Sequence, residues 1–433
     1  MRVALDEADT YEQLRLAVLD ELRGLGTELD DDEEVAATVR RLVDTYQASC
    51  ADSAARRLAR PDHMAERLRR SVLAFGPLTP FVDGSVRYEE LMIHGTEVTW
   101  IDDEGRLRSL DEPVSESEVA HVVGKLLAES GQAVDESRPI VQAQVLDGTA
   151  RLGVVVPPIA DAIDVTLRRY LLRRETLDQL VAHDMLSDAA AGLLMAMLRT
   201  PTGVLVTGPP GSGKTTLLNA MLRAAPPPLR VIACEDTPEL SLGHLTGARW
   251  RTRAAGPDGR NEIDLRALVR MALGMRPDLI VVGEVRGAEA YELTRAGNAG
   301  SGLLSTVHAN GAREGLQALQ STAVMAGANV SDRQVRSVFS NIIDLVLHVS
   351  REPASLPGEG SPRRQVMEIS AVQPLPARAD DFVVEPIFQR AEFGGPLRWT
   401  GNPLPLGLGH RLELVLRPIG VSVTELLEGW KGL

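Results

Sequence analysis

Apolar residues return along this chain in three successive rhythms, each predicting a different kind of element. Over residues 1–75 they recur at helical spacing: Tyr11, Leu14, Val18 and Leu22, then Val35, Val39, Leu42, Val43 and Tyr46, then Met64, Leu68, Val72 and Phe75 beyond Pro61. Such spacing gathers them on one side of each of three helices. The acidic run Asp30-Asp31-Asp32-Glu33-Glu34 stands before the second helix. Negative charge there suits the helix dipole, and a solvated linker is an equally good reading.

Past Gly76-Pro77 the period drops to that of strands. Short runs at 91–94, 97–101 and 106–110 predict strands, with Asp103-Glu104-Gly105 as a turn between the last two. Ser115 and Glu118 have the spacing of a capping box, so a helix begins there. Strands are expected again at 140–145, 150–156 and 163–167, and Pro157-Pro158 ends the middle one. Residues 76–175 therefore read as a small α+β domain, and helical stretches at 176–182 and 187–199 follow it.

The third rhythm alternates apolar strand-like runs at 203–207, 229–234, 279–282, 303–307 and 345–349 with helices at 214–222, 263–273, 288–296 and 313–326. That alternation predicts an α/β core at 176–350, a mainly parallel sheet covered by helices. From 351 to 433 the chain turns Pro/Gly-rich, with short strand-like pieces at 365–372 and 381–388.

Bulk properties narrow the function. At 433 residues, 44% hydrophobic and 24% charged, the chain suits a soluble globular protein of two or three domains. A net charge of −14 argues against broad contact with a nucleic-acid backbone, so no direct nucleic-acid partner is expected. Cys50 and Cys234 offer neither a pairing framework nor a metal spacing, which fits a reducing cytoplasm. The N-terminus has no apolar signal core, and Arg199 and Pro201 break the most apolar window. Membrane association is therefore expected only through partners.

Candidate chemistry centres on Gly208-Pro209-Pro210-Gly211-Ser212-Gly213-Lys214-Thr215-Thr216, between a predicted strand and a predicted helix. Glycines let backbone N–H groups turn around phosphate oxygens, and the helix N-terminus adds partial positive charge. Lys214 can reach the β- and γ-phosphates and Thr215 can ligate Mg²⁺. Acidic clusters follow two other strands, Glu235-Asp236-Thr237-Pro238-Glu239 and Gly283-Glu284-Val285-Arg286-Gly287. Glu284 suits the metal or its water shell, and Glu235 suits water activation beside the phosphate loop. The two roles are exchangeable on sequence alone. His308 ends a further strand, where a neutral imidazole could sense a γ-phosphate and relay its presence. Arg249, Arg251 and Arg253 share one face if extended, either as phosphate clamps or as a solvated basic hairpin leading to Gly256–Gly259. ATP is favoured over GTP because no Asn-Lys-x-Asp guanine motif is present.

With these boxes in hand, the chain resembles the secretion-system ATPases of the type II/type IV superfamily, and within it the CpaF-like branch that powers tight-adherence (Flp) pili. The likeness rests on Gly208–Thr216, Cys234–Leu240, Leu279–Gly287 and Gly300–Asn310 in that order, with Arg276-Pro277-Asp278 and His308-Ala309-Asn310 typical of the branch. Upstream, Phe75–Pro80, Asp135–Pro139 and Val156–Pro158 resemble that branch's N-terminal domain. The resemblance implies a RecA-like core and a cytoplasmic homohexamer docked on inner-membrane pilus or secretion platform proteins, with ATP between the N-terminal and core domains. It also implies Glu235 as the catalytic glutamate, Glu284 as its Walker B partner, His308 as the histidine of its box, and Arg253 and Arg168 as arginines near nucleotide. Three positions depart from the pattern: Ser301 where histidine is usual, Gly274 where arginine is frequent, and Gln144 where aspartate is common. The rival readings are a conjugative DNA-transfer ATPase and a slow, nucleotide-gated binding module.

Overall fold

The computed structural model describes residues 2–25, 32–50, 57–103, 105–170, 175–253, 260–295, 300–327, 331–352, 362–375 and 379–429. Asp30, Asp31, Glu104, Gly256–Gly259 and most of the Pro/Gly-rich stretch after Arg351 lie outside the described residues. The chain divides into two compact units, Met1–Leu171 and Leu172–Leu433.

The first unit has two cores. Helices α1 (Arg2–Leu25), α2 (Asp32–Ser49) and α3 (Pro61–Leu73) bury Tyr11, Val18, Leu22, Val39, Leu68 and Val72 against one another, the stripes expected from the periodicity. After the short α4 (Thr79–Val82) come β1 (Tyr88–His94), β2 (Glu97–Asp102), β3 (Leu107–Ser109), α5 (Glu116–Glu129), β4 (Ile140–Val145), β5 (Ala150–Val155) and β6 (Asp164–Arg169). These strands form an antiparallel sheet in the order β3-β2-β1-β6-β5-β4. Its alternating apolar face meets Val119, Val122, Val123 and Leu126 of α5, whose start is fixed by the Ser115–Glu118 capping box. Glu118 also accepts a short hydrogen bond from Tyr11 Oη, so the helical core and the sheet are joined by a buried polar contact.

The second unit contains α6 (Leu177–Ala182), α7 (Asp188–Met197), β7 (Gly203–Thr207), α8 (Lys214–Ala224), β8 (Arg230–Glu235), β9 (Thr246–Arg251), α9 (Leu265–Leu273), β10 (Leu279–Val282), α10 (Glu289–Leu293), β11 (Gly302–Val307), α11 (Ala312–Ala326), α12 (Asp332–Ile342), β12 (Leu345–Arg351), β13 (Arg364–Val372), β14 (Val384–Gln389), β15 (Arg398–Trp399), α13 (Leu406–Leu416) and α14 (Val423–Glu428). The sheet order is β15-β14-β13-β12-β7-β11-β10-β8-β9. From β12 to β9 all pairings are parallel, and β13 to β15 continue antiparallel. Strands β7, β10 and β11 are buried along their whole length, as parallel strands covered on both faces must be. Val204 and Val206 face α7, α8 and α13, while Leu205 faces the side held by α9 to α12.

The C-terminal stretch is built into this unit. Strand β13 extends the sheet, and Leu408, Leu412 and Leu416 of α13 join the core beneath α7. Buried Arg390 donates to Asp184 and to Val366 O at 3.2 Å, tying β14's end to the turn before α7. At the opening of β7, half-buried Asp344 accepts from Gly203 N at 2.9 Å and pairs with Arg411 of α13.

Candidate functional site

The loop leaving β7 requires its glycines. Gly208, Gly211 and Gly213 take φ values of 154°, 69° and 101°, a backbone region that side chains oppose. A Cβ on Gly208 would also lie 2.1 Å from Val349 O. Pro209 is half-buried, Pro210 is exposed at the crest, and Ser212 points inward. Gly213 caps α8, so the loop runs directly into a helix N-terminus whose unpaired N–H groups favour an anion. Lys214, Thr215 and Thr216 form the first turn of that helix.

Lys214 is only 7% exposed, and its Nζ donates to Gly208 O at 2.9 Å and Pro209 O at 3.0 Å. The same nitrogen lies 3.1 Å from His308 Nδ1, just past β11. His308 Nε2 in turn sits against Glu284 Oε1, just past β10, and the other carboxylate oxygen of Glu284 contacts Arg286. Burial, and after it the Lys214 charge, lowers the His308 pKa. The imidazole is therefore neutral near pH 7 and can accept from Lys214 at Nδ1. Thus the ends of β7, β11 and β10 are linked by contact from Lys214 through His308 to Glu284.

Glu235 stands elsewhere. It ends β8, which the strand order separates from β7 by β11 and β10. Chain order alone does not reveal that sheet order. Its Oε1 accepts from Glu239 N at 2.9 Å and Leu240 N at 2.8 Å. Burial pushes its pKa up to about 7 against the pull of those two bonds. Gly283 is its neighbour across the strand tips: a Cβ there would come within 3.2 Å of Glu235 Cγ. Glu235 therefore borders the loop that carries Glu284.

The arginines scatter. Arg249 donates to Leu240 O at 2.9 Å, bracing the loop that holds Glu235. On β9, Arg249 and Arg251 are exposed while Trp250 packs inward. Arg253 Nε donates to Asn261 O at 2.7 Å, so this side chain is folded back on its own hairpin. Arg168 belongs to the first unit, on β6 opposite Glu90 and Arg151.

Two supporting residues escaped the sequence reading. Buried Glu289 accepts from Arg286 N at 2.6 Å and Gly287 N at 2.7 Å, fixing the loop after Glu284. His348, inside the apolar run of β12, lies 3.0 Å from Thr207 Oγ1. A histidine interrupting an apolar strand was the available signal. For a metal, the described residues hold no group of three His, Cys, Asp or Glu side chains that could bind one unaided. The donors at hand are the Thr215 hydroxyl and the Glu284 carboxylate, whose Oε1 lies against His308 Nε2. One hydroxyl and one carboxylate fit Mg²⁺, which takes its remaining ligands from phosphates and water. No helix among the described residues is long and apolar enough to cross a membrane.

Residues 105–358 match the family described as type II/IV secretion system protein. A Mycobacterium tuberculosis protein named for conjugal transfer is 33% identical over 327 residues, covering 73% of this chain and 90% of its own length. The conjugal transfer protein TrbB of Rhizobium radiobacter is 29% identical, over 57% of this chain and 73% of its own. Among solved structures, the Legionella pneumophila ATPase DotB overlays with a TM-score of 0.47 at 20% identity, over 66% of this chain and 77% of its own. With a phosphate loop, an α/β core and a family match across more than half its length, this chain belongs to the type II/IV secretion system protein family.

Proposed function

We propose that this chain is a Mg²⁺-dependent ATPase that works as a cytoplasmic homohexamer, driving pilin assembly or protein export through inner-membrane platform proteins. The observation that carries the reading is the contact chain Lys214–His308–Glu284 at adjoining strand tips. When ATP enters, loop N–H groups take its phosphates and Lys214 turns from the Gly208 and Pro209 carbonyls to the β- and γ-phosphates. Thr215 and Glu284 would hold Mg²⁺, which would supply charge neutralisation for the phosphates. Glu235 orients or deprotonates the attacking water, a task suited to a carboxyl that titrates near neutrality. Neutral His308 loses its Lys214 contact as the γ-phosphate gains it, and so passes occupancy on to Glu284. Arg253 and Arg168 are assigned to the nucleotide on family resemblance alone.

The test is Mg²⁺-dependent ATP hydrolysis by the full chain. Lys214→Ala and Glu235→Gln should each lower kcat by about 100-fold or more, and parent-like hydrolysis in both overturns the assignment. The names of the relatives favour a second reading, conjugative DNA transfer. Turnover stimulated by added DNA would promote it, whereas the acidic balance of −14 favours export. Cross-linking of Glu235→Gln in cells separates the two by the membrane proteins captured.

A further inference from the structure

We infer that Arg351 and Arg364, contributed by the C-terminal part of the sheet, hold the ribose-side phosphates of the bound nucleotide. The inference rests on the nucleotide site proposed above. Strand β12 runs parallel to β7 with His348 opposite Thr207, then continues alongside the phosphate loop as Val349, Ser350 and Arg351. Three loop glycines record how close it comes. A Cβ on Gly208 would meet Val349 O at 2.1 Å, one on Gly211 would lie 3.7 Å from Arg351 Nη1, and one on Gly213 would lie 4.0 Å from Arg364 Cδ. Met185 adds apolar surface at the same place, its Cε 3.3 Å from the Gly213 position.

Arg351 and Arg364 are also direct cross-strand partners, so both side chains leave the same face of the sheet. Both residues are half-buried, which strengthens a charge-assisted hydrogen bond without sealing off a ligand. Lys214, His308 and Glu284 occupy the other flank of the loop, where the γ-phosphate is assigned. A triphosphate with its γ end there lays its α- and β-phosphates toward β12 and β13. The arginines should therefore bind ATP and ADP alike and leave the chemical step to the opposite flank.

The test is calorimetric titration of the full chain with ADP, with a non-hydrolysable ATP analogue and with adenosine. Arg351→Ala and Arg364→Ala should each weaken ADP and the ATP analogue by about tenfold, the same factor for both. Adenosine should bind as it does to the parent. The lysine variants, which keep the charge and most of the stem, should recover most of the loss. Alanine variants that bind ADP as tightly as the parent overturn the inference alone. Equal weakening of adenosine, or lysine variants no better than alanine, reduces the arginines to a structural role and also overturns it. A parent that binds neither ADP nor the ATP analogue removes the nucleotide site itself, a failure independent of either arginine.

Discussion

The two flanks of the phosphate loop carry opposite chemistry. On one side, His308 and Glu284 follow β11 and β10, and β8 ends in Glu235. On the other, β12 and β13 meet at Arg351 and Arg364. Both flanks belong to one continuous sheet, yet they are drawn from different parts of the chain: the first lies between the loop and residue 310, the second in the C-terminal addition. The difference teaches that holding a nucleotide and reacting with it need not be done by the same residues. Groups that stabilise the transferring phosphate must sit where charge develops, while groups that bind every nucleotide equally can sit anywhere along the remaining phosphates.

The largest effect that could break this division is expected at Glu284. Glu284→Gln should lower kcat by about 1,000-fold while ADP affinity stays within about threefold of the parent. The measurement is steady-state hydrolysis beside ADP titration. If ADP affinity falls as steeply as turnover, the acidic flank holds nucleotide too, and the contrast with Arg351 and Arg364 dissolves.

A pH profile sharpens the same flank. Burial raises the Glu235 carboxyl to about 7, so it is mostly protonated below that pH and ionised above it. If the ionised form serves the attacking water, kcat should rise through about pH 7 and level off beyond about pH 8. The linked stability runs the other way. A raised folded-state pKa means the protonated acid is preferred in the fold. Its stabilising contribution is whole below the ordinary carboxylate range and is lost as pH climbs through about 7. Glu235→Gln should therefore flatten the loss of melting temperature across that window. A kcat that stays level from about pH 6 to about pH 8 would remove Glu235 from the water-activating role.

How far the sequence foretold these flanks depended on the kind of signal. Glycine spacing, the apolar runs and the capping box at Ser115 are local, and the elements they predicted formed where expected. The box at Ser331–Gln334 was equally local and opens α12, a helix the periodicity reading passed over. Strand order is not local: nothing in residues 203–310 states that β11 lies between β7 and β10, or that β8 lies beyond β10. The C-terminal stretch hid its structure differently. Gly407 and Gly409 weaken the helix signal of α13, although Leu408, Leu412 and Leu416 recur at helical spacing. The arginine flank exists only because that stretch returns to the sheet edge beside β12.

Arg390 tests the support behind that flank. Its fully buried guanidinium grips Asp184 and the Val366 carbonyl, two residues past Arg364. Arg390→Ala leaves buried carbonyls without their donor and should cost about 2–4 kcal/mol of stability by denaturant titration. ADP affinity should fall with it, since β13 and the turn at Met185 lose their anchor, while kcat at saturating ATP stays near the parent's. A lowered kcat with unchanged ADP affinity would show the two flanks to be mechanically coupled.

The smallest effect is expected at Ser301, although the family pattern makes it the most conspicuous departure. Its hydroxyl donates to Pro277 O at 2.7 Å, just before β11 begins. His308 leaves the other end of the same strand, and a strand of that length separates the two by about 20 Å. Ser301→Ala removes one partly exposed hydrogen bond, so stability should drop by less than about 1 kcal/mol. By the same distance argument, kcat and ADP affinity should remain within about twofold of the parent in both Ser301→Ala and Ser301→His. Hydrolysis measured on the three proteins decides it. A change of tenfold in either variant would mean that the amino ends of the strands communicate with the phosphate loop, and the acidic flank could no longer be treated as a site confined to the strand tips.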